Sequence, residues 1–263
     1  MLFRILNEIR FMDFKQIHQQ NSPLLLCNVW DVKSAQIAKE LNFKAIGTSS
    51  SAIATMLGYS DGEEISFNEL KYIVSRISQT VNIPLSVDLE AGYNKDPFEI
   101  ADNIIMLSEL GVVGVNIEDS LVNDKRLLVD AKKFSKKLND ICTKLNAFKK
   151  DVFLNIRTDT FLLGCAKPIK ETIERTSRYK DAGADGIFVP CIEQINDIKA
   201  VISKIELPLN VMCMPKLPNF EILKNIGVKR ISMGGFVYNQ QSKNIKNQLQ
   251  KIQSINSFNC LFE

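Results

Sequence analysis

Short apolar runs rich in β-branched residues alternate along this chain with longer stretches whose apolar residues recur at helical spacing. The apolar runs predict eight strands: Leu24–Val29, Ala45–Ser50, Leu85–Glu90, Gly114–Asp119, Val152–Asp159, Gly186–Pro190, Leu209–Met212 and Arg230–Met233. The stretches between them predict seven helices: Lys33–Leu41, Phe67–Thr80, Pro97–Leu110, Asp130–Leu145, Ile169–Asp181, Ile192–Ile205 and Asn219–Ile226. Several helices stop at a glycine just before the next strand, as in ELGVVGVNI and DAGADGIFV.

Eight alternating strand–helix units predict a parallel (β/α)₈ TIM barrel of the α/β class. A doubly wound open sheet is the alternative, but no G-x-G-x-x-G follows the first strand, which favours the barrel. We expect one catalytic domain over residues 12–235, after an N-terminal extension at 1–11. Residues 236–263 form a C-terminal helical tail, either a surface helix or a segment that packs on a neighbouring subunit.

Composition narrows the classes of partner. The chain has 263 residues, 45% of them hydrophobic and 24% charged, which suits one large globular domain. Its net charge of +3 gives no reason to expect nucleic acid or an anionic membrane as partner. Six scattered cysteines form no C-x-x-C pair, no apolar run spans a bilayer, and the N-terminus lacks a secretory pattern. We therefore expect a cytoplasmic protein with reduced thiols.

The chain contains a single histidine, His18. One histidine excludes a His-based zinc site and argues against a Ser-His-Asp or Cys-His nucleophile. His18 lies in a polar stretch, so we expect it on the surface. The chemistry must then come from carboxylates, Arg, Lys, Ser, Cys or a hard metal ion.

In a parallel barrel, the residues at the carboxyl ends of the strands surround the active-site mouth. Polar residues or cysteine occupy these ends in seven of the predicted strands. They are Asn28, Trp30 and Asp31; Thr48, Ser49, Ser50 and Ser51; Asp88 and Glu90; Asn116, Glu118 and Asp119; Asn155, Arg157 and Asp159; Cys191 and Glu193; and Asn210.

Acidic residues dominate two neighbouring strand ends. Asp88 and Glu90 are two residues apart, so on a strand they point the same way, and Glu118 lies at the equivalent height one strand on. Three converging carboxylates repel one another unless a cation lies between them. Mg²⁺ suits such a site, since it takes one or two carboxylates with waters and a substrate oxygen. The alternative is that the acids cap helices or pair with surface lysines.

Three other features add candidate chemistry. Arg157 lies among inward-facing positions, where it either pairs with Asp159 or Glu118 or binds a substrate carboxylate or a developing oxyanion. Ser49, Ser50 and Ser51 offer hydroxyls and backbone N–H groups to an anion, although serine runs are common in loops. Asp61 lies on a turn that can reach the mouth, or is a simple turn residue.

At these residues the chain resembles the isocitrate lyase / phosphoenolpyruvate mutase superfamily. The likeness runs from about Met12 to Gly235. Five pieces carry it in order: NVWDVKSAQIAKELNFKAIGTSSSAIATMLGYSD, PLSVDLEAGY, GVNIEDS, NIRTD and DAGADGIFVP. The resemblance implies a Mg²⁺-dependent barrel, with Mn²⁺ as a substitute, that acts on 2-oxo acids or their enol phosphates.

The resemblance also implies roles for single residues. Asp88 would bind the metal directly, and Glu90 and Glu118 through its waters; the family usually has Asp where Glu90 stands. Arg157 would bind the substrate carboxylate or the enolate oxygen, and Ser49, Ser50 and Ser51 would hold the carboxylate. Asp61 would act as a catalytic or positioning group. Trp30 and Asp31 would lie at the substrate side of strand one. Asn210 completes the substrate-binding candidates, and Arg157, Asp61 and Glu118 are the catalytic ones.

Departures from the family bear on the reaction. Isocitrate and methylisocitrate lyases share a K-[KR]-C-G-H lid, whereas this chain reads SLVNDKRLLVD there. Cys191 stands at the place of their strand-six glutamate, with Glu193 close by. The K-T-N-S lid of phosphonomutases is also absent, and Asn123, Asp124, Lys125 and Arg126 are the candidates for a lid role. Family members commonly form tetramers with exchanged C-terminal helices, which implies a homo-oligomer here, a dimer or a tetramer.

The chemistry of the candidate residues and the family resemblance together favour a Mg²⁺-dependent lyase or decarboxylase that releases a pyruvate enolate from an oxaloacetate-like 2-oxo acid. The first alternative is phosphonate chemistry, either phosphoenolpyruvate phosphonomutase or phosphonopyruvate hydrolase activity. The second is a non-catalytic barrel that binds a dicarboxylate, which is suggested by Glu at position 90 and the missing lid acid.

Overall fold

The computed structural model describes residues 11–12, 14–122 and 125–262. The strands of this part are β1 (Leu24–Val29), β2 (Ile46–Thr48), β3 (Leu85–Asp88), β4 (Val112–Glu118), β5 (Ser120–Val122), β6 (Arg126–Leu128), β7 (Phe153–Arg157), β8 (Gly186–Phe188), β9 (Leu209–Met212) and β10 (Arg230–Ser232). Eight of them close a parallel barrel in the order β1-β2-β3-β4-β7-β8-β9-β10. Because β1 pairs with both β2 and β10, the predicted barrel is confirmed and the open sheet is excluded.

Helices cover the outside of the barrel. They are α1 (Val32–Glu40), α2 (Ser50–Leu57), α3 (Phe67–Thr80), α4 (Pro97–Glu109), α5 (Ala131–Ala147), α6 (Pro168–Asp181), α7 (Ile195–Ile202), α8 (Phe220–Asn225) and α9 (Phe236–Ile255). Polar residues cap the amino ends of several helices. Asp31 and Ser66 form capping boxes on α1 and α3, and Asp96 caps α4, which begins with Pro97.

One helix and one hairpin have no counterpart among the predicted elements. The predicted strand Ala45–Ser50 ends at Thr48, and the serine run starts α2: Ser49 caps the helix by accepting a hydrogen bond from Ala52 N–H, and Ser50 is its first residue. Strands β5 and β6 form an antiparallel hairpin directly after β4, with Val122 opposite Arg126. Each hairpin strand has three residues, too few for a period-2 pattern to be visible.

The amino ends of the barrel strands are closed by an apolar cluster that includes Phe14, Leu24 and Phe153. His18 lies in this cluster. Its ring is 2% exposed and stacks on Phe153 with centroids 4.2 Å apart, and its Nδ1 donates to the carbonyl of Phe14 at 2.8 Å. Burial lowers the pKa of His18 to about 3, so the ring is neutral at physiological pH. The expectation of a surface histidine is wrong, because Phe14 and His18 share one face of a helical segment, four residues apart.

The long tail helix α9 has no buried residue and carries exposed Ile245 and Leu249. No helix in the described part of the chain, α9 included, is both long enough and apolar enough to cross a membrane. All six cysteines are free. Residues 1–10 of the predicted N-terminal extension lie outside the described residues.

Candidate active site

A cavity of about 380 Å³ opens at the carboxyl ends of the barrel strands. Its polar lining includes Ser49, Ser50, Ser51, Asp61, Asp88, Asn116, Arg126, Arg157 and Arg230. Its apolar lining includes Leu162, Phe188, Pro190, Met212 and Phe236. The cavity lining therefore combines carboxylates and guanidinium groups with apolar side chains, and the Arg157 guanidinium lies over the Phe188 ring, 5.9 Å from its centroid.

Nine residues singled out in the sequence line this cavity together: Asn28, Ser49, Ser50, Ser51, Asp61, Asp88, Asn116, Arg126 and Arg157. Five residues with a predicted site role lie outside its lining, among them Asp31, which caps α1. Trp30 is buried against Tyr238 of α9 with ring centroids 5.2 Å apart. Asn210 is 1% exposed and hydrogen-bonds inside the barrel to Asn155 and Ser232. Glu90 and Glu118 lie behind the lining residues.

Asp88 is the last residue of β3 and faces the cavity. Its backbone N–H donates to Thr48 Oγ1 at 2.8 Å, which ties the end of β3 to β2. Its Oδ2 accepts a hydrogen bond from Ser50 Oγ at 2.9 Å, and the same hydroxyl lies 3.2 Å from Asp61 Oδ1. Burial raises the pKa of Asp88, while the charge of Arg157 opposes the shift. A single hydroxyl thus links the two carboxylates that face the cavity.

Glu90 is turned away from the cavity. Strand β3 ends at Asp88, and Glu90 has a left-handed backbone with φ 49°. Its carboxylate accepts hydrogen bonds from the Tyr93 hydroxyl at 2.7 Å and from Glu63 N–H at 2.8 Å. The inference that Asp88 and Glu90 point the same way assumed that the strand continued, and it is wrong. The role of Glu90 near a metal ion stays a prediction.

The protonation of Glu90 predicts a pH dependence of stability. Burial raises the pKa of Glu90 from 4.5 to about 8, although the Tyr93 hydrogen bond opposes the shift. Between these pH values the folded protein holds a proton that the unfolded chain releases, so the free energy of unfolding falls as pH rises from about 5 to 8. In EDTA, urea unfolding of Glu90→Gln should show a shallower fall than the wild type.

The exposed Glu109→Gln is the matched control, since Glu109 lies on the outside of α4 beside Lys150. It should keep the wild-type slope. An unchanged slope in Glu90→Gln would show that Glu90 ionises normally in the folded protein.

Two acidic residues behind the cavity wall hold the guanidinium group of Arg157. Its Nε donates to Asp159 Oδ1 at 2.6 Å, and its Nη1 lies 3.0 Å from Glu118 Oε2. Both salt bridges considered from the sequence are therefore present. Arg157 also lines the cavity, so these partners fix the guanidinium while it still faces the space where a ligand would lie.

Arg126, the first residue of β6, reaches into the same acid group. Its Nη1 contacts Glu118 Oε1 and lies 3.3 Å from Asp159 Oδ2, and its Nη2 lies 3.7 Å from Asp61 Oδ2. The sequence placed Arg126 in a general lid role, without these contacts. Of its neighbours in that hypothesis, Asn123 and Asp124 lie outside the described residues.

Carboxyl groups outnumber guanidinium groups around the cavity. Five carboxylates, those of Asp61, Asp88, Glu90, Glu118 and Asp159, lie near three guanidinium groups. Burial raises the pKa of Glu118 to about 7 despite the charges of Arg157 and Arg126. Glu118 Oε2 accepts no hydrogen bond from the described residues, although Arg157 lies within ion-pair distance.

Hard oxygen donors that outnumber the guanidinium groups suit a divalent cation. Within the described residues, however, no three His, Cys, Asp or Glu side chains are grouped so as to hold a metal ion. Of the three carboxylates predicted to converge, Asp88 lines the cavity, and Glu118 lies behind the lining. This arrangement fits Mg²⁺, which binds through one or two carboxylates and otherwise keeps waters or substrate oxygens.

The two remaining candidates at the end of β8 do not line the cavity. Cys191 has a left-handed backbone with φ 64°, and burial raises the pKa of its thiol. A protonated thiol is a weak nucleophile. Glu193 accepts from Lys216 N–H at 3.3 Å on the surface. Neither residue is placed to act as the missing lyase acid.

The closed parallel barrel places the chain in the class of (β/α)₈ barrels, with its cavity of acids and arginines at the strand carboxyl ends, where enzymes of this fold carry their active sites. A family model described as phosphoenolpyruvate phosphomutase matches residues 14–253. The chain therefore belongs to this family, within the superfamily of phosphoenolpyruvate mutase and isocitrate lyase.

Individual relatives extend this result. The chain is 34% identical over 227 residues to an uncharacterised protein of Mycobacterium tuberculosis (strain CDC 1551 / Oshkosh), covering 86% of this chain and 83% of that one. It is 26% identical to oxaloacetate decarboxylase 1 of Pseudomonas fluorescens (strain Pf0-1), covering 85% and 77%. The crystal structure of a candidate phosphonomutase from Burkholderia cenocepacia J2315 superposes with a TM-score of 0.87 at 31% identity, covering 92% and 99%.

Proposed function

We propose that this protein is a Mg²⁺-dependent lyase or decarboxylase that acts on an oxaloacetate-like 2-oxo acid through a pyruvate enolate. The observation that carries the proposal is that the Asp88 carboxylate and the Arg157 guanidinium face one cavity. Similarity to oxaloacetate decarboxylases from Pseudomonas supports this substrate class. In the proposed reaction the C–C bond of the substrate breaks, CO₂ leaves, and the enolate takes up one proton to become pyruvate.

Asp88 is the residue that would hold the divalent cation, with Glu118 and Glu90 behind it as the predicted neighbours of its waters. When bound, Mg²⁺ supplies Lewis-acid stabilisation of the developing enolate charge, and Mn²⁺ can take its place. The excess of carboxylates over guanidinium groups around the cavity supports this assignment.

The chain's own residues then bind and orient the substrate. Arg157, fixed by Asp159 and Glu118, would donate to the carboxylate or the enolate oxygen. Ser49, Ser50 and Ser51 at the start of α2 would hold the 2-oxo carboxylate with hydroxyl and N–H groups.

Asp61 is the proposed carrier of the proton that the enolate takes up. It is exposed at the cavity mouth, and its Oδ1 lies 3.2 Å from Ser50 Oγ. Phe188 and Pro190 also line the cavity and would exclude water from the enolate.

Oxalate tests the enolate site directly, since it mimics the planar pyruvate enolate. With Mg²⁺, oxalate at about 100 times its Kd should stabilise the protein by roughly 2.7 kcal/mol, which raises Tm by about 5–10 °C. The shift should vanish in EDTA. Differential scanning calorimetry with four samples, each ligand alone, both and neither, measures it. The absence of any shift would remove both the lyase and the mutase readings.

Phosphonate chemistry is the second candidate, favoured by the family model and by the 31% identical phosphonomutase candidate. It uses the same cavity and differs in its substrate. A ³¹P spectrum of phosphonopyruvate incubated with enzyme and Mg²⁺ separates the activities. Phosphoenolpyruvate would indicate the mutase, inorganic phosphate the hydrolase, and an unchanged spectrum with pyruvate release from oxaloacetate the decarboxylase.

A dicarboxylate-binding barrel without catalysis is the third candidate function, and it predicts that oxalate raises Tm while no substrate is turned over.

Assembly as a homo-oligomer also remains a prediction. The exposed Ile245 and Leu249 on α9 are consistent with a contact to another subunit.

A further inference from the structure

Arg230 is a buried guanidinium at the floor of the cavity. It is the first residue of β10, pairs in register with Leu24 of β1 and Asn210 of β9, and is 1% exposed. Its side chain crosses the barrel interior to Asn116 on β4 and lines the same cavity as Asp88. In the sequence, Arg230 stands out only as the start of the last predicted strand.

The contacts of Arg230 within the described residues are few. Its Nη2 lies 3.4 Å from Asn116 Oδ1, and its Nε and Nη1 have no hydrogen-bond partner. The other arginines around the cavity differ in this respect. Arg157 and Arg126 both form ion pairs with Glu118 and Asp159.

An unpaired buried charge is strongly unfavourable and is retained only where something anionic compensates it. Burial lowers the pKa of Arg230 to about 9, and the charge of Asp88 opposes that shift only in part. The guanidinium is therefore still charged at neutral pH. Its free donors lie at the floor of a cavity whose proposed ligands are anions.

We propose that Arg230 is a further substrate-binding residue, whose Nε and Nη1 donate to an anionic oxygen of the bound 2-oxo acid at the floor of the cavity. This inference rests on the proposed function, because it concerns the same ligand. It adds a subsite beneath Asp88, opposite the cavity mouth where Asp61 lies. Substrates with a carboxylate oxygen able to reach this depth would be preferred over monoanions that cannot.

Arg230→Met provides the sharpest test, because it removes the charge and keeps a long apolar side chain. Asn116 Oδ1 keeps its hydrogen bond from Asn155 at 2.9 Å, so no new buried acceptor is left unpaired. Without ligand, Tm should stay equal or rise, as expected when an unpaired buried charge is replaced by an apolar group. With Mg²⁺, calorimetric titration should show oxalate affinity weakened by about 10- to 100-fold, the loss expected for charge-assisted hydrogen bonds.

Three controls make the result specific. Mn²⁺ affinity of Arg230→Met should not fall below wild type, since its proposed ligand is Asp88 and the variant removes a positive charge that acts on Asp88. The exposed Arg178→Met on α6 should bind oxalate as wild type does. Arg230→Lys keeps a charge without the planar fork and should lose an intermediate amount of affinity, which also covers the case in which Arg230→Met does not fold.

Different failures separate the two proposals. Wild-type oxalate affinity in Arg230→Met, or in Arg230→Lys if only that variant folds, would overturn the subsite and leave the proposed function standing. Loss of Tm in the absence of ligand, together with unchanged oxalate affinity, would show that Arg230 is structural. If the wild type itself binds no oxalate with Mg²⁺, the proposed function fails and the Arg230 subsite fails with it.

Discussion

Asp88→Asn should lower kcat/KM for oxaloacetate decarboxylation by about 10³-fold or more at saturating Mg²⁺. Lewis-acid stabilisation of the developing enolate is worth several kcal/mol, and each 1.36 kcal/mol lost is about a tenfold loss in rate. Asp88 is the metal-ligand candidate that lines the cavity, while Glu90 is bonded to Tyr93 and Glu63. Steady-state assays of pyruvate release, with and without EDTA, measure the effect.

The variant should fold at least as well as the wild type. Burial raises the pKa of Asp88, so a neutral amide at this position removes an unfavourable charge, and its oxygen can still accept from Ser50 Oγ. Asp102→Asn removes a carboxylate from the exposed side of α4, where it pairs with Lys144, and should retain wild-type activity. Full, EDTA-insensitive turnover in Asp88→Asn would show that the metal assignment is wrong.

The barrel was predictable because its signal is local and repeated. Eight apolar runs separated by amphipathic stretches determine the order of strands and helices along the chain. A parallel sheet in which each strand is followed by a helix has few possible topologies. The same logic placed Asp88 and Arg157 at strand ends, where the cavity is found. It failed at Glu90, where one left-handed residue after β3 reverses the expected side-chain direction.

Contacts between residues far apart in sequence were not predictable. Arg126 lies 33 residues from Asp159, and Arg230 lies 114 residues from Asn116, yet each pair meets at the barrel centre. In a single sequence, no feature distinguishes Arg126 in the hairpin or Arg230 at a strand start from an arginine on the surface. His18 was misplaced for a related reason, because its burial depends on Phe153 of a distant strand.

Arg157→Met should lower kcat/KM by about 10²- to 10³-fold, because a preorganised donor to a developing oxyanion is worth about 2.7–4 kcal/mol. It should also destabilise the fold, by at most about 3–5 kcal/mol, the cost of removing one partner of a buried ion pair. Here Glu118 and Asp159 lose Arg157 and keep Arg126 as their remaining partner. Urea unfolding and steady-state kinetics on the same preparation measure both effects.

The loss of stability in Arg157→Met should depend on pH. Glu118 already has its pKa raised to about 7 by burial, and without Arg157 it takes up a proton more readily, which relieves the unpaired charge. The deficit relative to wild type should therefore be larger at about pH 8 than at about pH 6. Arg175→Met is the matched control, because Arg175 pairs with buried Asp119 away from the cavity. It should lose stability but keep kcat, which separates the loss of a buried ion pair from the loss of a donor to the substrate. If both variants lose activity only in proportion to their unfolded fraction, Arg157 holds the fold together and does not act on the substrate.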